Sequence, residues 1–235
     1  MFMTTERFKM CVSTFGRDVQ SLKDSVLKAI SIGADVVEAR LDYLEDLDAN
    51  VLSSVLRPYM DKLILTLRPH YESGLFEGDE EERARILKRL SREVPAYVDI
   101  ELRSPMFQDL LKELMKVGVT VIVSWHDFEK TPETDELRRI VSLAMSCGGI
   151  AKVVTMAKSF SDNLRILSLY RTDDKHRLIA FCMGAEGILS RFLSVMLGAP
   201  FMYVSLPGAP TAPGQPSITE ARELIRILSS NYYGR

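Results

Sequence analysis

Gly148-Gly149-Ile150-Ala151-Lys152-Val153-Val154-Thr155-Met156-Ala157 is an apolar, β-branched run that opens on two glycines and encloses one lysine. That composition reads as a buried strand. Lysine is rarely buried without a partner, so Lys152 has two readings. In the first, its stem lies along the apolar surface of an edge strand and its ammonium reaches water. In the second, the amine stands in a low-dielectric cavity, where it attacks a carbonyl and forms a Schiff base.

Similar runs recur in both directions along the chain. Strands are expected at 9–15, 36–43, 63–68, 96–102, 120–126, 150–156, 177–183 and 201–206. Amphipathic helical spacing fills the intervals at 21–32, 80–94, 105–117, 135–147, 161–170, 187–197 and 218–230. Strict alternation of strand and helix implies a parallel sheet. Eight strand units imply closure into a (β/α)8 TIM barrel, a single α/β domain over residues 1–235, with an open doubly wound sheet as the alternative. Barrel chemistry sits at the C-terminal strand ends.

The length and the 46% hydrophobic content suit one large core. A net charge of −2, from 30 basic and 32 acidic residues with no basic block, argues against nucleic acid as the main partner. Cys11, Cys147 and Cys182 lack metal-ligand spacing and read as buried thiols in a reducing compartment. No eighteen-residue apolar stretch suggests a membrane span, and Met1–Arg7 lacks the order of a signal peptide. A soluble cytoplasmic protein is expected.

Polar residues crowd the expected strand ends. Glu38, Arg40 and Asp42 share one face of strand two at period two; on a barrel strand that face points inward, where opposite charges can pair, and the alternative is an exposed amphipathic edge strand. Thr66 and Arg68 are in phase on strand three, with Glu72 just beyond. Asp99 and Glu101 alternate with aliphatics on strand four, and strand five delivers His126 to its end. Met183-Gly184 through Ser190-Arg191 could form a glycine loop opening an anion-binding helix. The proline-rich 209–216 segment reads as a loop over the mouth, a lid or a plain connector. His70 and His176 read as surface residues, Glu77 to Arg85 as a solvated helix face, and Trp125 as packing outward between helices. A histidine acid/base beside an amine is a kit for imine chemistry on a carbonyl substrate.

Glu38-Ala39-Arg40-Leu41-Asp42, Thr66-Leu67-Arg68, Val98-Asp99-Ile100-Glu101-Leu102, Ser124-Trp125-His126-Asp127-Phe128, Lys152, Met183-Gly184 with Ser190-Arg191, and Ala212-Pro213-Gly214-Gln215 occur in the order and spacing of one family. From about residue 9 to residue 228 the chain resembles type I 3-dehydroquinate dehydratase. The resemblance implies a cofactor-free and metal-free barrel enzyme of the shikimate pathway, with a small-molecule substrate, 3-dehydroquinate, and a homodimeric state. It implies that Lys152 forms the imine, that His126 moves protons, and that Glu72 orients His126. It further implies that Glu38, Arg40 and Arg68 hold substrate hydroxyls and that Arg191 binds the substrate carboxylate. Ser13, Thr211 and Gln215 would touch substrate, and Met183 would pack near the imine. Thr211 stands where the family commonly has serine, and the short N-terminus implies that a strand pair plugging the barrel floor in longer members is missing. An aldolase-type imine lyase and a catalytically inactive quinate sensor are the alternatives. The first usually takes phosphorylated substrates, and the second is expected to lack Lys152 or His126.

Overall fold

Side chains on a β-strand alternate between its two faces, and in this chain the two faces go to two different interiors. The structure, a computed structural model, describes residues 8–230; the segment read for a signal peptide lies outside them. Eight strands form one parallel sheet: β1 (Met10–Phe15), β2 (Val36–Arg40), β3 (Leu63–Thr66), β4 (Tyr97–Glu101), β5 (Thr120–Asp127), β6 (Ile150–Met156), β7 (Leu178–Met183) and β8 (Met202–Ser205). Their hydrogen-bonded order is β7-β6-β5-β4-β3-β2-β1-β8. The sheet curls so that its two end strands meet through side chains, with the rings of Phe181 and Tyr203 6.3 Å apart. Beyond the strand ends, Gly184 N–H donates to the Pro213 carbonyl at 3.1 Å. This is the expected TIM-barrel arrangement.

The outward face of each strand packs under the helices. Val12, Val37, Leu65, Val98, Val123, Val153, Ala180 and Val204 belong to that continuous core. Trp125 belongs there too, stacked under Arg103, as its phase predicts. The inward face has a separate apolar floor that includes Cys11, Val36, Ile64, Ile122, Ile150 and Ile179. Gly149 lets β6 join this sheet. A Cβ there would overlap the Val121 carbonyl of β5, so the two backbones meet only because the side chain is absent.

Eight helices cover the sheet: α1 (Val19–Ser31), α2 (Ala49–Leu56), α3 (Glu80–Ser91), α4 (Phe107–Lys116), α5 (Thr134–Ser146), α6 (Phe160–Leu167), α7 (Ile188–Leu197) and α8 (Ile218–Ser230). None of the described helices is long and apolar enough to cross a membrane. Seven match the expected set to within a few residues at each end, and α2 has no counterpart in it. The start of α2 is nonetheless marked: Asp48 caps it by accepting from the N–H groups of Asn50 and Val51, and Leu52 and Leu56 bury one turn apart.

Three expectations need correction. Strand two stops at Arg40 rather than 43, because Leu41–Tyr43 turns into a 3-10 helix. Asp42 therefore leaves the barrel face; it takes both forks of Arg40 at 2.8 and 2.7 Å and accepts from Leu75 N–H. The 77–85 charge run is not wholly solvated, since Arg83 is fully buried, hydrogen-bonds Glu80 and forms an ion pair with Glu101. Cys11 and Cys182 are buried, whereas Cys147 is only partly so. His70 and His176 are exposed as expected.

Candidate active site

Above the apolar floor, the inward positions of β1 to β6 turn polar. Ser13, Glu38, Thr66, Asp99, Ser124 and Lys152 are all buried there. Period-two alternation of one strand lifts Lys152 above Ile150 and places it beside Ser124 of β5 in register. Its Nζ lies 3.0 Å from Asp99 Oδ2, 3.5 Å from Glu38 Oε1 and 4.2 Å from the centre of the Tyr203 ring. Both carboxylates are held by others. Glu38 accepts from Ser13 Oγ at 2.6 Å and Thr66 Oγ1 at 3.1 Å. Asp99 accepts from Ser124 Oγ at 2.6 Å and pairs with Arg68 at 3.0 Å. Burial works against the ionised Asp99, but Arg68 and Lys152 outweigh it and hold its carboxyl below the usual range. The edge-strand reading of Lys152 is thus set aside: the amine lies inside the barrel, 4% exposed.

His126, at the end of β5, directs Nδ1 to Glu72 Oε2 at 2.7 Å. Glu72 stands in the turn after β3, and its Oε1 makes no hydrogen bond among the described residues. Burial pushes the Glu72 carboxyl up to about 8, against the pull of Arg68. Burial, with Arg68 and Lys152 nearby, pushes the imidazole down. The proton of this pair is therefore shared between two groups that both resist charge. Arg68 links it to the lysine cluster. Its guanidinium reaches Asp99, Glu101 at 2.7 Å, Ser124 Oγ at 2.8 Å and, more distantly, Glu72 at 3.8 Å.

The other side of the cavity is different in kind. On β7 and β8 the inward positions carry Phe181, Met183 and Tyr203. Against this apolar wall lies Arg191, in α7, with its guanidinium 4.4 Å from the Phe181 ring. Arg191 is 2% exposed and donates to the Pro213 carbonyl at 3.2 Å, while its Nε has no partner among the described residues. Burial lowers it to about 9. No carboxylate among the described residues pairs with this buried guanidinium, an arrangement suited to an anionic ligand.

The 209–216 loop folds over the mouth. Thr211 donates through N–H at 2.8 Å and Oγ1 at 3.0 Å to Gln215 Oε1, whose amide donates to Ser13 Oγ at 3.3 Å. The Thr211 hydroxyl thus makes its bond with the extra methyl in place. Gly214 packs where a Cβ would strike the Gly184 carbonyl.

Glu38, Arg40, Arg68, Glu72, His126, Lys152, Met183, Arg191, Thr211 and Gln215 line one cavity. Ser13 lies just beneath it, bonded to Glu38 and Gln215. Phe128, Val154, Phe181, Tyr203 and Ala212, to which the sequence assigns no role, also line it. Asp99, which alternation puts on the charged face of β4 without a role, makes the shortest polar contact to Lys152. Its signal was the phase it shares with Glu101. Among the described residues no group of three His, Cys, Asp or Glu side chains is arranged to hold a metal ion.

A parallel barrel whose mouth gathers an amine, an imidazole–carboxylate pair and a buried arginine belongs to the barrel enzymes that act on small molecules. Residues 10–232 match the model of the family described as type I 3-dehydroquinase. The 3-dehydroquinate dehydratase of Thermococcus onnurineus is 39% identical over 210 residues, 89% of this chain and 94% of that one. That of Methanopyrus kandleri is 38% identical over 223 residues, 93% of this chain and 100% of the relative. The crystal structure of 3-dehydroquinate dehydratase from Geobacillus kaustophilus superposes with a TM-score of 0.86 at 24% identity, covering 98% of this chain and 93% of that one, and shows the fold. The chain belongs to the type I 3-dehydroquinase family, whose members are hydro-lyases.

Proposed function

We propose that the chain removes water from 3-dehydroquinate to give 3-dehydroshikimate through an imine on Lys152, in the shikimate pathway. The observation that carries this reading is the shared cavity of Lys152 and Arg191. One buried group can bond a carbonyl carbon, and the other lacks the carboxylate it needs. A keto acid satisfies both.

In the proposed sequence, Lys152 Nζ adds to the ketone and water leaves, giving a protonated imine that draws electrons from the adjacent C–H bond. His126 takes that proton on Nε2, the nitrogen that Glu72 does not engage. The enamine electrons then expel the β-hydroxyl, which His126 protonates as it departs. Water returns to the imine carbon and frees product and amine. Asp99 and Glu38 flank Nζ from two sides and orient it, while the Tyr203 ring faces the cation. Arg191 holds the carboxylate, Met183 packs beside the imine, and Arg40, Glu38 and Arg68 meet the ring hydroxyls. Gln215, supported by Ser13 and Thr211, closes the site from the last loop.

Borohydride reduction in the presence of 3-dehydroquinate, followed by digestion and mass spectrometry, tests this reading. The expected result is a reduced adduct on the peptide containing Lys152. A folded protein that turns substrate over with no adduct on that peptide refutes the imine.

A further inference from the structure

Arg83 sits on α3, outside the sheet, in a run of charges that a helix ordinarily gives to solvent. Instead it is fully buried. Its Nε and Nη2 take the Glu80 carboxylate at 2.7 and 3.0 Å, and its Nη1 reaches Glu101 Oε2 at 2.6 Å and the Leu67 carbonyl at 3.1 Å. Glu101 points the other way as well, giving Oε1 to Arg68 Nη1 at 2.7 Å. The same Arg68 approaches Glu72, which holds His126. A chain of alternating charge thus crosses the barrel wall: Glu80, Arg83, Glu101, Arg68, Glu72, His126. Its inner half touches the reacting groups, and its outer half does not.

We propose that Arg83 is a positioning residue for the reaction, which, through Glu101 and the Leu67 carbonyl, holds Arg68 against the Glu72–His126 pair and so sets the pH at which that pair becomes a base. The inference rests on the dehydratase reading above.

The groups that bear on the pair come from five places. Arg68 follows β3; Asp99 and Glu101 lie on β4 with Arg103 just after it; Lys152 projects from β6, and Arg40 ends β2. Arg83 contacts only Glu101 among them. Glu101 is drawn toward both guanidiniums while burial opposes its charge. Without Arg83, Glu101 keeps Arg68 as its sole cationic partner in this chain of contacts and competes harder with Glu72 for it. The Glu72 carboxylate then loses support, and its ionisation moves to higher pH. Removing the charge of Glu80 does the opposite, because Arg83 is left to Glu101 alone.

The test is the pH dependence of kcat for the full chain as wild type, Arg83→Met, Arg83→Lys and Glu80→Gln. Arg83→Met is expected to move the ascending limb up by about half a pH unit or more. Arg83→Lys should return most of that shift, and Glu80→Gln should move the limb down. Glu80 is partly exposed, so Glu80→Gln keeps the proposal open to refutation even if Arg83→Met does not fold. Limbs that stay in place, or move the same way in both charge variants, overturn it, because a merely structural role lowers kcat without opposite shifts. Wild type without turnover or trapping refutes the dehydratase reading itself; wild type that turns over with unmoved limbs in the variants refutes Arg83 alone.

Discussion

At the scale of one residue, Arg191 is what points the proposed reading to an acid. Its neighbours are a phenyl ring and a backbone carbonyl, and one guanidinium nitrogen has no partner among the described residues. Truncating it to alanine should leave the fold intact and raise KM by about two orders of magnitude, since a buried charge pair with substrate is lost; steady-state kinetics with 3-dehydroquinate would check this. The Glu72–His126 pair makes a different prediction. With a proton on Glu72, that proton faces Nδ1 and the ring's own hydrogen sits on Nε2, so no lone pair faces the cavity. Once Glu72 ionises, Nδ1–H turns to it and Nε2 becomes the base. Because burial lifts Glu72 to about 8, kcat should rise with pH through that region and level off above it. Glu72→Gln should remove this limb, and a pH profile of each protein decides the matter.

Elements show how much the sequence disclosed. Inward charges on β2 to β5 and Lys152 on β6 were legible, because strict alternation fixes the face of each residue once the strand is buried on both sides. Asp42 was misplaced because alternation holds only while the strand continues, and the chain turns after Arg40. Phe181 and Tyr203 were not legible as lining, since an inward apolar residue above the floor looks no different from one within it. Arg83 was hidden among charges, although it lies one turn before Leu87, on the face that buries. The β6 element carries its own prediction. Gly149→Ala would press a methyl into the Val121 carbonyl and cost about 1–3 kcal/mol, as overpacking does. The urea midpoint should fall accordingly, with Lys152 chemistry weakened because the same strand aims it.

For the whole molecule, the buried pair links stability to pH. Between about 5 and 6.5 the native pair holds its extra proton on Glu72, and the unfolded chain holds one on histidine, so the difference is small. From about 6.5 to about 8 the unfolded histidine has lost its proton while native Glu72 keeps its own. Glu72 is raised in the folded state, so its contribution is lost as pH rises through that window. Over roughly 1.5 units the loss is of order 2 kcal/mol. Denaturant unfolding at pH 6 and 8.5 should show that drop in wild type and not in Glu72→Gln. The division of the barrel mouth reaches further still. Lys152 stands between β5, which carries the imidazole, and β7, whose inward residues are Phe181 and Met183. The proposed planar imine, anchored there, would show one face to the imidazole and the other to hydrocarbon and thioether. The base then reaches one of the two hydrogens on the adjacent carbon and not the other, and the handedness of the elimination is written into which strand carries nitrogen and which carries carbon.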